Sequence, residues 1–520
     1  MTPGTSKSFM KKLLSIKKHW PAFLSAGLTI LCLPPFNFAL LTFVCLVPLL
    51  AYLRTCNAKE ARHAGFIYGF ALFSTQMHFV VTLLERWTGN IWIGLVPFII
   101  TLFLAGWLHV ISTVLVRLCW MKNWWWLIPL AWVGSEAIRD ILPVFNFPWA
   151  ILGHPFFAYP AFGQTAAFGT VHLVSAWCVI PNILLVFWIW PNSAPSLSFK
   201  KIDIIEGLST PKPQLQFRAG LIFFGLMFAS LLRFSQMPKT VTKVVTIGQP
   251  GIDLAYTKGP KREILARQSG MELMRQAIAQ NSEFMVLPEG YALGGERAPN
   301  NPFGATPEIP VILGATHIVG RMHRQAAFLW DGTDWSATDK IKLVPYGEYT
   351  PFRGIIPDGG LTSGFRDFEA GTELKTLDLK GVKVGPLICF EGLFPEMAAQ
   401  HCRQGAQMLV VMSIDEWYMH TPAWNCLWQS SVWRSIESGL PLVRSVGLGQ
   451  SLATDTRGRI ISLVPLNKLM AARVELPVPA ESDAFGWRIG FVWLCYATCI
   501  FLAIDGIIRK SRAKKSEVPK

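Results

Sequence analysis

The sequence predicts two structural classes in one chain: a polytopic α-helical membrane domain of about eight spans, and an extramembrane α/β domain. Three observations predict this. Apolar residues make up 51% of the 520 and charged residues 16%, with 21 Trp and 35 Phe, and the mean hydropathy is +0.36. Long apolar runs fill the first 235 positions and return near 485–507. Between them, 236–483 carries mixed charge and only short apolar runs. The predicted division is therefore 1–235 with seven spans, 236–483 outside the membrane, and 484–520 with an eighth span and a basic tail.

Crossing a bilayer takes roughly 20 apolar residues. Eight segments qualify as candidates: 21–35, 36–53, 64–84, 91–116, 124–142, 163–190, 219–235 and 485–507. Pro34-Pro35 splits the first two, and the first is short, so these two also read as a re-entrant pair. The start, MTPGTSKSFMKKLLSIKKHW, is basic and runs into an apolar stretch without a small-residue cleavage site, so no cleavable signal peptide is expected.

Loop charge fixes the expected orientation. With the N-terminus inside, the inside loops hold Arg54, Lys59 and Arg62; Arg117 and Lys122; Lys200, Lys201, Lys212 and Arg218; and the tail RKSRAKKS. The outside loops, ERWTGN and PVFNFPW, are nearly bare. That asymmetry is the positive-inside pattern. It puts both termini in the cytoplasm and 236–483 on the outer face, periplasmic in a Gram-negative cell. The net charge of +15 therefore reflects topology rather than nucleic-acid binding, and no nucleic-acid module is present.

Within 236–483, TKVVTIGQ, SEFMVLPE, IPVILGATHIV, GVKVGPLICF and AQMLVVMSI read as buried strands bounded by turn signals. Helical patterns lie between some of them: KREILARQSGMELMRQAIAQ, FPEMAAQHCRQ and WNCLWQSSVWRSIES. Strands alternating with helices predict a layered α/β domain.

Ten cysteines show no CxxC pair and no metal-ligand spacing, so neither a metal nor a cofactor is expected. Seven lie in or beside apolar segments, where a thiol packs as a small hydrophobe. The others are Cys389, Cys402 and Cys426.

Three strand ends carry chemistry. MVLPEGY ends at Glu289, KIKLVPYGEY presents Lys340 and Glu348, and VGPLICFEG ends at Cys389, with Glu391 two residues on. Ligand sites in open α/β sheets form beyond the carboxyl ends of strands. Taken singly, the cysteine reads as core packing, the glutamate as a turn and the lysine as a solvated loop residue. Together they make a coherent set. A carboxylate removes the thiol proton, a lysine favours the thiolate, and the same ammonium stabilises the oxyanion when an ester or amide carbonyl is attacked.

These segments match the motif order of the nitrilase superfamily. With eight spans in the same chain, the sequence resembles the apolipoprotein N-acyltransferase family over nearly its whole length, as a divergent member. KxxLVPxGE and CxE followed by FPE are the specific motifs, and YGFALFSTQMHFV and FNFPWAILGH are weaker matches in the membrane part. The resemblance implies an αββα sandwich for the outer domain and a Glu289–Lys340–Cys389 triad: general base, electrophilic lysine and acylated nucleophile. It implies supporting roles for Glu348, Glu391 and Phe390. It implies N-acylation of the diacylglyceryl-cysteine of a lipoprotein from a phospholipid donor, through a thioester, by an enzyme of the bacterial inner membrane. Membrane lipid is then a partner and nucleic acid is not.

The chain departs from the family pattern in places. Phe390 stands for Tyr, Ser413-Ile414-Asp415 for Ser-Asn-Asp, Leu427 for His, and SVGLGQS (445–451) for an Asn- and Gly-containing stretch. Tyr256 stands for a Trp. Two competing readings use the same residues: a membrane-tethered amidase with water as acceptor, and an inactive paralogue that binds lipid or lipoprotein. Outside the outer domain, Trp124-Trp125-Trp126 reads as an interfacial aromatic belt. Glu136, Arg139 and Asp140 read as solvated at the interface, and Phe145 to Trp149 as lining a lipid entry.

Overall fold

The computed structural model describes residues 18–142, 146–191, 213–351, 367–481 and 489–516. The basic start, Phe145, Lys200, Lys201 and Lys212 lie outside these residues. The first part is helical: α1 (Trp20–Cys32), α2 (Val47–Thr55), α3 (Ala58–Gln76), α4 (Phe79–Thr88), α5 (Ile91–Met121), α6 (Ile128–Ile141), α7 (Ala166–Ile189) and α8 (Pro213–Ser235), joined at the far end of the chain by α9 (Gly490–Ser516).

Among the described residues, four helices are long and apolar enough to cross a membrane: Ile91–Met121, Ala166–Ile189, Pro213–Ser235 and Gly490–Arg509. A fifth crossing is available if Ala58–Gln76 and Phe79–Arg86, bent by 43°, count as one. The other expected spans fall on shorter helices, Trp20–Cys32 and Ala39–Thr55 and the 14-residue α6. Prolines account for part of this. Pro34 and Pro35 close α1, and Pro129 fixes the start of α6, because proline lacks the amide that a continuing helix needs.

Trp125 does not belong to an aromatic belt. It is buried against Phe187, with ring centroids 5.5 Å apart. Trp126 is the exposed member of the trio.

From Thr240 to Pro479 the chain forms two six-stranded sheets. The first runs β12-β1-β2-β3-β4-β5: Met470–Pro479, Thr240–Gln249, Phe284–Val286, Val311–Val319, Met322–Trp330 and Trp335–Asp339. The second runs β11-β10-β9-β8-β7-β6: Ile460–Leu463, Leu452–Thr454, Leu442–Val446, Met408–Ser413, Val382–Ile388 and Leu377–Leu379. β1, β2 and β3 are parallel, as are β7, β8 and β9.

Side-chain alternation explains the layers. In β8, Met408, Val410 and Met412 join a core shared with Val245, Ile247 and Val286 of the first sheet. Leu409 and Val411 point the other way, into a core with Met397, Cys426, Trp433 and the membrane helices. In β3, Leu313 and Ala315 meet Leu273 and Ala277 of the helix Gly259–Ala279. The result is helix, sheet, sheet, helix. The helices Pro395–Arg403 and Pro422–Ser438 are pressed between the second sheet and the membrane bundle, because their core runs into that of the bundle without a break.

Candidate active site

Glu289 follows β2 through Leu287-Pro288 and is 3% exposed. The chain passes so close to β3 here that a Cβ on Gly314 would lie 2.4 Å from the Glu289 Cα, so this position of β3 has no room for a side chain. Lys340 directly follows β5 and is 0% exposed. Its backbone is held on both sides, with its N–H on the Gln325 carbonyl at 2.7 Å and its carbonyl accepting from Gly371 at 2.7 Å. Cys389 directly follows β7. Its φ of +52° lies in the left-handed region that β-carbon-bearing residues avoid.

These strand ends bring the charges together. Lys340 Nζ lies 3.3 Å from Glu289 Oε1 and 2.6 Å from Glu348 Oε1. Glu348 Oε2 accepts from the Val344 amide at 2.8 Å, so the turn carrying Glu348 is tied to its own start. The Cys389 thiol and the Glu289 carboxyl line the same cavity, close enough for each to influence the other's charge. Ser413 Oγ, at the end of β8, is 3.4 Å from Cys389 Sγ and 3.0 Å from Asp415 Oδ1. Asp415 is fixed by both terminal nitrogens of the Arg444 guanidinium, at 2.7 and 3.1 Å, and by the Trp424 indole N–H at 3.2 Å.

Burial and charge pull these groups in opposite directions. Burial raises the Glu289 carboxyl, against the pull of Lys340. Burial alone would lower Lys340, yet Glu289 and Glu348 outweigh it and hold the ammonium well above its ordinary value. Burial, helped by the Glu289 charge, pushes the Cys389 thiol up to about 12, with Lys340 and Ser413 acting against it. The resting site is thus a protonated thiol beside a charged lysine and a base of raised affinity for protons.

Glu391 sits behind the site. It accepts from the amides of Ile341 (2.7 Å), Lys342 (3.1 Å) and Ile388 (2.9 Å), stapling the Lys340 segment to the Cys389 turn. Phe390 points elsewhere. Its ring meets Phe394 at 5.0 Å and Phe147, from the membrane-side loop, at 5.9 Å.

A cavity of about 460 Å³ opens over the group. Glu289, Glu348 and Cys389 line it, with Tyr256, Trp417 and Tyr418 as aromatic walls. Arg86, Lys258 and Arg262 line it too, and none of these cations stands out in the sequence as a site residue. Arg86 comes from the last turn of α4. Trp417 and Tyr418 lie just past a strand end, in SIDEWY, where the same rule that finds Glu289 would have pointed. Leu427 and 445–451 do not line the cavity. Leu427 is in the core shared with the bundle, while Leu448 N binds Glu416 Oε1 at 2.8 Å and Gln450 Nε2 binds the Val464 carbonyl at 3.0 Å.

Glu136, Arg139 and Asp140 are not solvated, as their charge had suggested, but buried in the helical bundle. His172 Nε2 is 2.8 Å from Asp140 Oδ2, and Glu136 accepts from Ser175 Oγ at 2.8 Å and from the Leu152 amide at 3.0 Å. The partner histidine lies 32 positions from Asp140, beyond any local pattern.

The family profile described as "Apolipoprotein N-acyltransferase N-terminal domain" matches residues 25–184, and that described as "Carbon-nitrogen hydrolase" matches 266–478. The chain is similar to the Apolipoprotein N-acyltransferase of Geobacter metallireducens, with 28% identity covering 94% of this chain and 95% of the relative. It is similar to that of Bradyrhizobium diazoefficiens, with 25% identity over 96% of each. It is also similar to the Apolipoprotein N-acyltransferase 2 of Treponema denticola, with 30% identity over 59% of this chain and 63% of the relative. Among solved structures, an amidase from Nesterenkonia sp. overlays 47% of this chain and 93% of its own at 16% identity, with a TM-score of 0.33, too loose to carry an argument.

Proposed function

The chain belongs to the apolipoprotein N-acyltransferase family of the nitrilase superfamily, and from that premise we propose how it acts. It is an acyltransferase that N-acylates lipoproteins. The acceptor is the free α-amine of the N-terminal diacylglyceryl-cysteine, the donor is a phospholipid, and the acyl group passes through a thioester on Cys389. One observation carries the reading. A single buried ammonium, Lys340, bridges Glu289 and Glu348 beside the Cys389 thiol, in a cavity that a membrane-part helix helps to wall.

Glu289 takes the thiol proton as Cys389 Sγ attacks the donor ester carbonyl. The C–S bond forms, and the new oxyanion faces the Lys340 ammonium, a preorganised charge in a site shielded from bulk water. Collapse breaks the ester C–O bond, and the lysophospholipid leaves with the proton Glu289 held. The neutral amine of the acceptor then attacks the thioester. An α-amine with a pKa of about 8 supplies this form in part at neutral pH. The N–C bond forms, the C–S bond breaks, and the amine proton returns through Glu289 to the sulfur. Glu348 and Glu391 support Lys340 and the nucleophile turn, and Phe390 braces that turn against the membrane loop.

Residues 1–235 form the membrane domain, 236–483 the catalytic domain, and 484–520 the last span and tail. The reading takes the short and bent helices as crossings, giving about eight, with both termini cytoplasmic and the catalytic domain on the periplasmic side of the inner membrane. Reporter fusions near 60, 120 and 210 then read as cytoplasmic, and fusions near 88 or within 236–483 as external. A cytoplasmic catalytic domain overturns the acceptor as well as the topology.

The direct test is mass spectrometry of the purified protein after incubation with phospholipid. An acyl adduct on Cys389 that persists in water and discharges to a lipopeptide amine is the expected result. An adduct that hydrolyses quickly and ignores the lipopeptide supports the amidase reading instead. Absence of any adduct removes the thioester mechanism.

A further inference from the structure

Two negative groups on the reactive cavity, Glu289 and Glu348, already share Lys340. The cavity nevertheless carries three further cations: Arg86, Lys258 and Arg262. Among the described residues none of the three has a carboxylate at ion-pair distance, although the other cation of the site has two. They also come from separate parts of the fold. Arg86 is in the last turn of α4, in the membrane part. Lys258 caps the start of the helix Gly259–Ala279, and Arg262 lies in its first turn.

Arg262 is the deepest. Its guanidinium donates to the Gly290 carbonyl, next to the catalytic carboxylate, and a Cβ on Gly290 would lie 2.9 Å from Arg262 Nη2. Burial lowers its pKa, with Glu416 and Glu289 acting against this. Arg86 and Lys258 are exposed at the mouth. The amides of the helix's first turn add partial positive charge on the same side.

We propose that Arg86, Lys258 and Arg262 form an anion seat that holds the phosphate of the acyl donor while its ester reaches Cys389. The inference rests on the phospholipid-donor reading above. Its logic is one of reach. The esters and the phosphate of a phospholipid share one glycerol, so a carbonyl at Cys389 keeps the phosphate inside the same cavity. The apolar tails then follow the outward face of α5, where Trp92, Val96, Ile100 and Phe103 are exposed one turn after another, starting six residues past Arg86. Recognition through the phosphate makes the enzyme selective for donors that carry one and permissive toward whatever is esterified beyond it.

The test compares two donors with identical acyl chains, phosphatidylglycerol and diacylglycerol, in detergent micelles with the full-length protein. The readout is the rate of acyl-Cys389 formation. Wild type acylates from phosphatidylglycerol faster than from diacylglycerol, and Arg262→Gln reduces that ratio about tenfold or more, the value of a hydrogen bond to a charged group. Arg262→Gln also removes a contact to Gly290, so the doubly exposed variant Arg86→Gln/Lys258→Met is the second arm, and it too moves the ratio toward one. Equal rates from both donors in wild type, or an unchanged ratio in both variants, overturns the seat. Inorganic phosphate distinguishes the two sources of the anion. Competition by phosphate without any donor preference makes the cluster a site for free anions and overturns the lipid assignment. No adduct from either ester overturns the donor reading itself, whereas an adduct from both with no preference overturns the seat alone.

Discussion

The protein buries two clusters of charge, one in each half, and they are built for different ends. In the helical bundle, Glu136, Asp140 and His172 are packed among Ser175, Leu152 and Arg139. In the α/β domain, Glu289, Lys340 and Glu348 surround a thiol. Both clusters lie largely below the protein surface. The space beside them differs. The void lined by Glu136 and Arg139 measures about 10 Å³, room for one water at most, while the one over Cys389 measures about 460 Å³. The bundle cluster uses its acceptors on the Leu152 amide of the following loop and on Ser175 and His172 of α7. The cluster in the α/β domain leaves its thiol facing an opening. Burial of charge is common to both clusters; what distinguishes the one in the α/β domain is a thiol and empty space beside it.

The contrast breaks most sharply at the sulfur. Cys389→Ala abolishes acyl transfer while circular dichroism and melting stay close to wild type, because one small side chain beside a cavity contributes little packing. Retained turnover would falsify the assignment.

Lys340→Met is next. The adduct with phospholipid alone forms about a hundredfold more slowly or worse, the usual loss for one preorganised oxyanion partner, and adding lipopeptide does not rescue it. Formation at the wild-type rate shows that Lys340 acts elsewhere.

Ser413→Ala sharpens the comparison on a smaller scale. Its hydroxyl has one hydrogen and two acceptors, Cys389 Sγ and Asp415. Removing it takes a donor from the thiolate, so alkylation of Cys389 shifts to higher pH and adduct formation slows about tenfold. A merely structural serine leaves the alkylation profile where it was.

Asp140→Ala should do the reverse of these three. It removes the nearer of two carboxylates beside His172, with Glu136 Oε1 remaining 3.4 Å from Nδ1, so it destabilises the bundle by less than the roughly 3–5 kcal/mol of a fully uncompensated buried charge, while the adduct rate per folded molecule stays near wild type. A stable Asp140→Ala protein with a slow adduct ties the bundle cluster to the chemistry and ends the distinction.

The smallest effect falls on Glu416, which joins two loops of the catalytic domain by accepting from Leu448 and Leu254. Burial raises its carboxyl to about 8. A raised carboxyl means the folded state holds more protons than the unfolded one between the ordinary carboxylate range and pH 8. Stability therefore falls as pH rises through that window. Glu416→Gln should flatten the loss, melting nearer to wild type at pH 6 and above it at pH 8. A parallel pH dependence in both proteins removes Glu416 as its source.

The sequence was most readable where local pattern and global fold agree. The buried apolar run MLVVMS was legible from its turn-bounded length, and the charge at three strand ends was legible because parallel strands carry their C-terminal residues to one edge of the sandwich. Contacts made across the chain were not. Asp415 meets Arg444 29 positions away, and Phe390 meets Phe147 of the membrane-side loop. Nothing in the neighbourhood of either residue signals its partner. Glu136, Arg139 and Asp140 read as solvated for the same reason. Hydropathy likewise located the apolar stretches but not the helices within them, since prolines and bends divide lengths that composition alone would run together.

The backbone at Cys389 has a consequence for inheritance. Its φ of +52° is one that a residue with a β-carbon occupies at a penalty of roughly 1–2 kcal/mol, and that glycine occupies freely. Cys389→Gly should therefore melt higher than Cys389→Ala, although both are inert. Folding by itself favours losing the sulfur, and under the proposed thioester mechanism the demand for acylated lipoproteins keeps it. In a lineage released from that demand, the first durable change expected at this turn is glycine, so a descendant gene with Gly at this position and the lysine and glutamates intact would mark an enzyme that had stopped working before it had begun to decay.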